Sequence, residues 1–291
     1  METIALTPIK IDPTTFLYKH CALPALPKVL TRFQEAVKSE DVTISRVVNI
    51  ISSDPGIVAE VLKVVNSAYF SLPRDVSRVD MAVAYLGIQE VHNIVLAASV
   101  INTFDIEDLA AFKRLWHHSL YTALCARYLA NRYERHMAFG DLWAPALLHD
   151  IGKLLYLKFF PNQYKTLSRY AEENGCLFSE AEQAFAMPPS AYLGTLLCQR
   201  WRLPRKIQGV CEMQGPHALA DLRAGKAFSS LNRMVLLGDM VAVLSTDRLQ
   251  REKQHSISDT IMHVFDLTEP EFLVLMGAIN DLKLEANRLA G

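Results

Sequence analysis

Residues 53–70 read SDPGIVAEVLKVVNSAYF and contain the clearest helical signal of the chain. Asp54 followed by Pro55 matches a helix N-cap with proline at the first helical position, where its missing N–H is tolerated. The apolar residues that follow recur with the spacing of one helix face, at Ile57, Val58, Val61, Leu62 and Val65. Asn66 and Ser67 are short polar residues of the kind that favour helix ends and turns. The stretch predicts an amphipathic helix from Pro55, closed by two residues with a structural rather than a ligand-binding role.

The same helical period recurs along most of the chain. Apolar stripes are found in residues 44–51, 88–98, 115–129, 142–160, 193–201, 207–213, 231–244 and 272–289. The last stripe follows Thr268-Glu269-Pro270-Glu271, which matches the Ser/Thr-x-x-Glu capping box of a helix start. Convincing apolar–polar alternation of period two, typical of strands, is absent. The sequence therefore predicts an all-α fold, with the polar segment 245–259 as a linker between two apolar helices.

The charge balance limits the classes of partner. Lys and Arg number 30, Asp and Glu number 31, and the net charge is −1. Such a balance gives no bulk attraction to nucleic acid or to an anionic membrane. No apolar run approaches the about 20 residues that cross a bilayer. We therefore expect neither nucleic-acid binding nor membrane insertion.

The cysteines and the N-terminus indicate the compartment. The five cysteines are Cys21, Cys125, Cys176, Cys198 and Cys211. They form no CxxC pair, and their odd number does not suggest a disulfide framework. Cys125 and Cys198 have apolar neighbours, which is typical of buried thiols in a reducing compartment. Residues 1–16 lack the basic start and apolar segment of a signal peptide, so we expect a cytoplasmic protein.

Polar residues stand on apolar helix faces at three places. His118 shares its helical line with apolar residues three before it and seven and eleven after it. Asp239 has apolar residues three before and four after it. His149 and Asp150 lie inside the run ALLHDIGK, residues 146–153. A carboxylate on an apolar face is unfavourable unless it is paired or bound to a metal, so each of these groups needs a partner.

Two interpretations of these four residues remain open. In the first, His118, His149, Asp150 and Asp239 converge on one divalent cation. Nitrogen and oxygen donors suit Mn, Fe, Ni or Zn, while the cysteine spacing rules out an all-thiolate site. In the second, each is a core polar residue satisfied by a backbone carbonyl, a helix end or a cationic side chain. Spacing alone favours the second for any single residue, and convergence of all four would favour the first.

A resemblance to a known superfamily favours the metal site. The order of His118, the pair His149-Asp150 and Asp239 resembles the H…HD…D signature of the HD superfamily of metal-dependent phosphohydrolases. The local match in residues 147–153, LLHDIGK, is close although short. The resemblance implies that these four residues are the metal ligands.

The upstream sequence resembles one branch of that superfamily, the HDOD family. Its N-terminal half is similar to residues 53–70 and to AVAYLG at residues 82–87. The resemblance covers residues 20–245 and implies an HDOD-type multi-helix fold. The expected parts are an N-terminal helical half (20–107), a degenerate HD-like half (108–245) and a C-terminal helical extension (246–291).

The sequence departs from the related HD-GYP phosphodiesterases, which carry additional metal-binding histidines. Ser190 stands where that family has a His before a small residue and a Gly, and Met213 and Gln214 stand where it has a His-His pair. His217 follows this pair closely, although a loop histidine after proline is typically solvated. A two-metal clamp needs ligands for both ions, and the resemblance implies that the second set is missing.

The resemblance implies a bacterial signal-transduction protein with a regulatory or output role. We expect it to act through protein contacts without catalysis, with no cofactor or with a weakly bound Mn, Fe, Ni, Zn or Mg ion. The expected partners are other signalling proteins, a nucleotide second messenger or a second copy of the chain. The alternative is a mononuclear phosphohydrolase for a nucleotide or phosphoester, in which Lys153 stabilises developing phosphate charge.

Overall fold

The computed structural model describes residues 25–39, 41–67, 69–137 and 141–290, and these residues form helices and turns with no strand among them. The predicted all-α fold is confirmed. The first five helices are α1 (Lys28–Lys38), α2 (Ile44–Ser52), α3 (Pro55–Val65), α4 (Val79–Leu86) and α5 (Ile88–Asn102). The next six are α6 (Leu109–Tyr133), α7 (Trp143–Leu148), α8 (Ile151–Phe159), α9 (Pro161–Asn174), α10 (Phe178–Ala184) and α11 (Ser190–Arg200). The last five are α12 (Arg205–Glu212), α13 (Gly215–Arg223), α14 (Ser230–Thr246), α15 (Arg251–Phe265) and α16 (Glu269–Ala290).

Two expectations about the N-terminus, the domain start at residue 20 and the missing signal peptide in residues 1–16, lie outside the described residues. Cys21 also lies there. Among the described residues, no helix combines the length and the apolar character that a membrane span requires.

Helix α3 begins as its sequence predicts. The Asp54 side chain accepts hydrogen bonds from the backbone N–H groups of Gly56 (3.0 Å) and Ile57 (3.2 Å), and Pro55 occupies the first helical position. These bonds satisfy two of the N–H groups that a helix start leaves without partners.

Asn66 and Ser67 end α3 and have structural roles. The Asn66 side chain donates to the backbone carbonyl of Val76 (2.8 Å) and accepts from the Val76 N–H (2.6 Å). The buried Ser67 hydroxyl donates to the Val64 carbonyl at 2.6 Å. All these bonds lie within the N-terminal half, and the Asn66 pair closes the loop between α3 and α4.

Helix α5 is the centre of the N-terminal half and forms part of its contact with the second half. It packs against α1, α2, α3 and α4, and also against α7 of the second half. Most of its residues are buried, which agrees with contacts on several sides.

Helix α6 organises the second half of the chain. It is 25 residues long and packs against α7, α14 and α16. Its N-terminus is capped by the Asp108 side chain, which accepts from the Ala111 N–H at 2.9 Å. The Tyr121 hydroxyl donates to the Ile279 carbonyl at 2.9 Å and holds α16 along α6. Helix α16 therefore packs directly on α6.

The segment 142–160, predicted as one helix, is broken at His149 and Asp150 into α7 and α8. Its backbone carbonyls accept hydrogen bonds from side chains, and such bonds compete with the regular helical pattern. The carbonyls of Ala146, Leu148 and His149 are engaged by the side chains of His149, Cys211 and Gln214, in that order. The backbone leaves the helical conformation at Asp150, whose φ and ψ are −99° and 20°.

The predicted linker over residues 245–259 is wrong. Helix α15 begins at Arg251, so only residues 247–250 connect it to α14. The buried residues of α15 are Ile257, Thr260 and Ile261. The apolar stripe of α15 is narrow, so most residues of the segment are polar. Its composition therefore resembles that of a linker.

Candidate metal centre

The four polar residues singled out in the sequence lie together in the second half of the molecule. His118 comes from α6, His149 and Asp150 from the break between α7 and α8, and Asp239 from α14. His118 Nε2 lies 3.0 Å from Asp239 Oδ1 and 3.5 Å from Asp150 Oδ2. His149 Nε2 lies 3.6 Å from Asp239 Oδ1 and 3.4 Å from Asp150 Oδ2. The structure thus brings all four side chains to one point, here called the quartet.

The hydrogen bonding of His149 fixes which ring nitrogen faces the quartet. The side chain is buried, and its Nδ1 lies 2.7 Å from the Ala146 carbonyl oxygen. Because a carbonyl oxygen only accepts, Nδ1 carries the proton. Nε2 is buried without a hydrogen-bond partner among the described residues and faces the two carboxylates. A neutral imidazole would point a lone pair at two anions, an arrangement that requires a proton or a metal ion between them.

The electrostatics of the quartet favour positive charge at this point. Burial alone would lower the pKa of His149, but the carboxylates of Asp150 and Asp239 outweigh it and raise that pKa. Burial would raise the pKa of Asp239, but the nearby imidazoles of His118 and His149 hold that pKa well below its usual range. The carboxylate of Asp239 therefore remains ionised and draws a cation or protons into the quartet.

Lys153 supplies one positive charge at the edge of the quartet. Its Nζ lies 2.6 Å from Asp150 Oδ2. Burial opposes the charged amine, but the carboxylates of Asp150 and Asp239 raise the pKa of Lys153 above its ordinary value. The same Nζ lies 5.1 Å from the centre of the Phe178 ring. One Asp150 oxygen is therefore already neutralised by a side chain of this protein.

The donor atoms fit a single divalent cation. One ligand atom each from His118, His149 and Asp239 lie within 4.8 Å of one another. Two imidazole nitrogens and a carboxylate oxygen suit Mn, Fe, Ni or Zn. The unpartnered Nε2 of His149 is the observation that such an ion would explain. Asp150 lies beside these three donors, although it shares its oxygen with Lys153.

A cavity of about 790 Å³ opens above the quartet. His118, Asp150 and Asp239 form part of its wall. The other walls combine cationic side chains (Lys113, Arg114 and Lys153), two further carboxyl groups (Glu182 and Asp247) and the aromatic rings of Tyr164 and Phe178. A volume of this size lies in the range of about 300–1,000 Å³ that is typical of small-molecule sites.

Of the three positions where HD-GYP proteins have additional histidines, Ser190 and Gln214 lie at the same cavity and Met213 does not. The Ser190 backbone N–H donates to Glu182 Oε1 at 2.9 Å, and the Gln214 side chain donates to the His149 carbonyl. His217 lines the cavity as an exposed residue of α13. Ser190 and Gln214 therefore offer no imidazole, the donor that suits Fe, Ni or Zn.

Glu182 is a cavity residue that the sequence interpretation missed. Its side chain is buried, and burial raises the pKa of its carboxyl group to about 7. The sequence does contain a signal for its burial, because Glu182 follows Phe178 by four residues and precedes Phe185 by three. That spacing places the carboxyl group on the apolar face of α10.

Comparison with known proteins gives relatives along most of the chain. An uncharacterized protein of Treponema pallidum is 26% identical over 259 residues, which are 84% of this chain and 50% of that protein. This chain therefore spans half the length of that relative. Each of three solved bacterial structures covers more than nine-tenths of this chain.

The solved structures are similar in fold at low sequence identity. An HDOD domain protein of unknown function from Geobacter sulfurreducens is 20% identical, with 96% of this chain and 95% of that chain covered and a TM-score of 0.69. A protein of Shewanella amazonensis, provisionally named a phosphohydrolase, is 24% identical with coverages of 92% and 94% and a TM-score of 0.66. A protein of Marinobacter aquaeolei, provisionally named a signal transduction protein, is 19% identical with coverages of 92% and 59% and a TM-score of 0.64.

A family model identifies the larger part of the chain. The model of the HDOD domain matches residues 23–215. This range includes His118, His149 and Asp150, while Asp239 lies beyond it. Since the match covers more than half of the sequence, the chain belongs to the HDOD domain family.

Proposed function

We propose that the chain is a cytoplasmic bacterial signal-transduction protein whose HD-like half binds one divalent metal ion and a phosphorylated small molecule. Its output is a protein contact rather than catalysis. The observation that carries this proposal is the quartet beside a cavity that also contains Lys113 and Arg114, with one cluster of possible metal ligands found among the described residues. In this proposal the domain covers residues 20–245, and the extension completes the cavity through Asn287 and Ala290.

The ligand is proposed from the chemistry of the cavity. Lys113 and Arg114 lie on α6 about one turn before His118, and Lys153 lies beside Asp150. Such cations recognise phosphate oxygens. The aromatic rings of Tyr164 and Phe178 offer an apolar surface for the rest of the ligand. A nucleotide second messenger combines both features.

The roles of the residues follow from their contacts. His118, His149 and Asp239 would hold the ion, with Asp150 beside them. A divalent ion held there would supply Lewis-acid chemistry, because it would polarise a phosphoryl oxygen and lower the pKa of a bound water. The Ala146 carbonyl fixes the ring of His149, and Lys153 is placed to stabilise phosphate charge.

A mononuclear phosphohydrolase is the second candidate, and the same quartet favours it. The two candidates differ in turnover. A two-metal displacement stabilises both the attacking and the leaving oxygen, and Ser190 and Gln214 provide no imidazole for a second ion. We therefore expect binding without efficient hydrolysis.

Cyclic di-GMP is the first ligand to test, because it is a phosphodiester second messenger of suitable size. Protein purified without a metal-affinity column is supplied with Mn²⁺ or Fe²⁺ and incubated with the dinucleotide. We expect no hydrolysis at an enzymatic rate. Turnover of about 1 per second, in the ordinary range for enzymes, would support the phosphohydrolase instead, provided that Asp150→Ala abolishes it while the helical circular dichroism spectrum is kept.

A further inference from the structure

We infer that the contact of Tyr69 and Phe70 with Arg127 and Trp143 couples the conformation of the cavity to that of the N-terminal half. We call this contact the joint. The inference rests on the proposed function for its natural input, a ligand in the cavity. It adds the route by which that input reaches the other half of the protein.

The joint is a buried cluster of aromatic rings around one cation. The guanidinium carbon of Arg127 lies 4.4 Å from the centre of the Tyr69 ring and 5.9 Å from that of Phe70. The Trp143 ring lies 4.5 Å from Tyr69 and 6.2 Å from Phe70, centre to centre. Tyr69 and Trp143 are each 1% exposed. Contacts of this kind are directional as well as apolar, so they depend on the relative position of the elements that carry them.

The two residues on the HD-like side belong to elements that also carry the quartet. Arg127 and His118 both lie on α6, nine residues or about 13 Å apart along its axis. Trp143 opens the short helix α7, which ends directly before His149. The joint and the quartet are therefore two ends of the same pair of helices.

The spacing of these helices at the quartet depends on charge. His118 of α6 faces Asp150, which follows α7, at 3.5 Å. A cation or a phosphate at this point changes the attraction between the two sides. Because packed helices move as rigid bodies rather than deform, a shift at the quartet reaches Arg127 and Trp143.

The receiving side is fixed to the N-terminal helices. Tyr69 and Phe70 lie in the connection between α3 and α4, which the two hydrogen bonds between Asn66 and Val76 close. Asn66 also ends α3. A displacement of the Tyr69 ring is therefore passed to α3 instead of being absorbed by a loose loop.

Hydrogen exchange with mass spectrometry on the full chain tests the joint. The perturbation is Asp239→Asn, which removes a charge from the quartet with little change of shape and requires neither metal nor ligand. We expect amides of residues 69–78 and of α3 to exchange about fivefold faster or more, the lower end of ordinary coupling between sites. Thr260→Ala, a buried change in α15, is the control and should leave these rates unchanged. Wild-type rates at residues 69–78 in Asp239→Asn would overturn the inference.

A pair of variants at Tyr69 tests whether the Tyr69 ring transmits the effect of Asp239→Asn to α3. Tyr69→Leu removes the ring, and the effect of Asp239→Asn on α3 should then disappear. Tyr69→Phe keeps the ring and should preserve the effect. If the effect on α3 persists in Tyr69→Leu, the joint is elsewhere and the inference fails. Should Asp239→Asn not fold, Lys153→Gln replaces it, because this change removes the cation from Asp150.

Failure of the inference is distinct from failure of the proposed function. Addition of Mn²⁺ to the wild type tests the function, and an unaltered exchange pattern at the quartet would count against a metal. The comparison of Asp239→Asn with its control needs no metal. It therefore tests the coupling through the joint whether or not the quartet binds a metal ion.

Discussion

At the scale of single residues, the molecule buries carboxyl groups outside the quartet, and Glu90 on α5 is the clearest case. Its side chain is 8% exposed, and one of its oxygens has no hydrogen-bond partner among the described residues. Burial and the nearby Asp141 raise the pKa of this carboxyl group to about 7, although Arg127 partly opposes them. The folded protein therefore holds a proton on Glu90 over a range of pH in which the unfolded chain has lost it.

This difference predicts a pH-dependent stability with a defined sign. Between the ordinary pKa of 4.5 and the folded value of about 7, the folded state binds more protons than the unfolded state. Stability should therefore fall as pH rises through this window. Glu90→Gln resembles the neutral form, so it should gain about 2–3 kcal/mol relative to the wild type between pH 4.5 and pH 8. Urea unfolding of both proteins across this range is the measurement, and parallel pH profiles would refute the prediction.

The residues of the quartet were predictable from the sequence, while the buried carboxyl group of Glu90 was not. His149 and Asp150 interrupt an apolar run, and Asp239 interrupts an apolar stripe, so all three can be recognised from the sequence alone. Glu90 becomes unusual only when helices distant in sequence cover it, whereas Glu182 has the local signal of its spacing to Phe178 and Phe185. Burial of a carboxyl group is a property of tertiary packing, which local periodicity does not contain.

At the scale of helices, the quartet depends on a close crossing of α8 and α11. A Cβ atom added to Gly152 would lie 1.8 Å from the Ser190 carbonyl oxygen and 2.7 Å from the Gly194 backbone nitrogen. Any side chain at residue 152 would force the two helices apart. Asp150 and Lys153 flank this glycine, so the crossing also positions one side of the quartet.

Gly152→Ala is therefore expected to destabilise the protein, by about 2 kcal/mol or more, because neither backbone can yield without repacking. Gly277→Ala is the matched control on α16, where an added Cβ meets no atom within 4 Å. Alanine is the better helix former, so the control should gain about 0.5–1 kcal/mol. Denaturant unfolding measures both changes, and a stabilised Gly152→Ala protein would contradict the close crossing.

Helices with a wide apolar stripe were predicted well, and those with mixed surfaces were not. α3 begins at Pro55 as its cap predicts, and α16 begins beside Thr268, whose N–H donates to Glu271 at 2.9 Å. The stripe of α15 is too narrow to be distinguished from a polar linker. The break after α7 results from hydrogen bonds with Cys211 and Gln214, residues more than 60 positions away.

At the scale of the whole molecule, the site is assembled from more of the chain than the family match covers. The match ends at residue 215, yet α14 supplies Asp239, and α16 supplies Asn287 and Ala290 to the cavity wall. α6 connects these parts, because it packs against both α14 and α16 and carries His118. The cavity is therefore a property of the entire second half.

One metal ion held by the quartet should be weakly bound, because Lys153 already occupies an oxygen of Asp150. Elemental analysis of protein purified without a metal-affinity column is expected to give less than one ion per chain. An ion that survives dialysis against a chelator would instead favour the mononuclear phosphohydrolase.

Thermal unfolding of the wild type and of Asp239→Asn, each with Mn²⁺ and with a chelator, tests the metal centre most directly. Metal bound to the folded state stabilises it by about 2.7 kcal/mol when free metal is a hundredfold above its dissociation constant. We expect Mn²⁺ to raise the Tm of the wild type and the chelator to reverse the change, while the Tm of Asp239→Asn responds to neither. If neither protein responds to Mn²⁺ or to the chelator, the quartet is a buried hydrogen-bonded network and not a metal site.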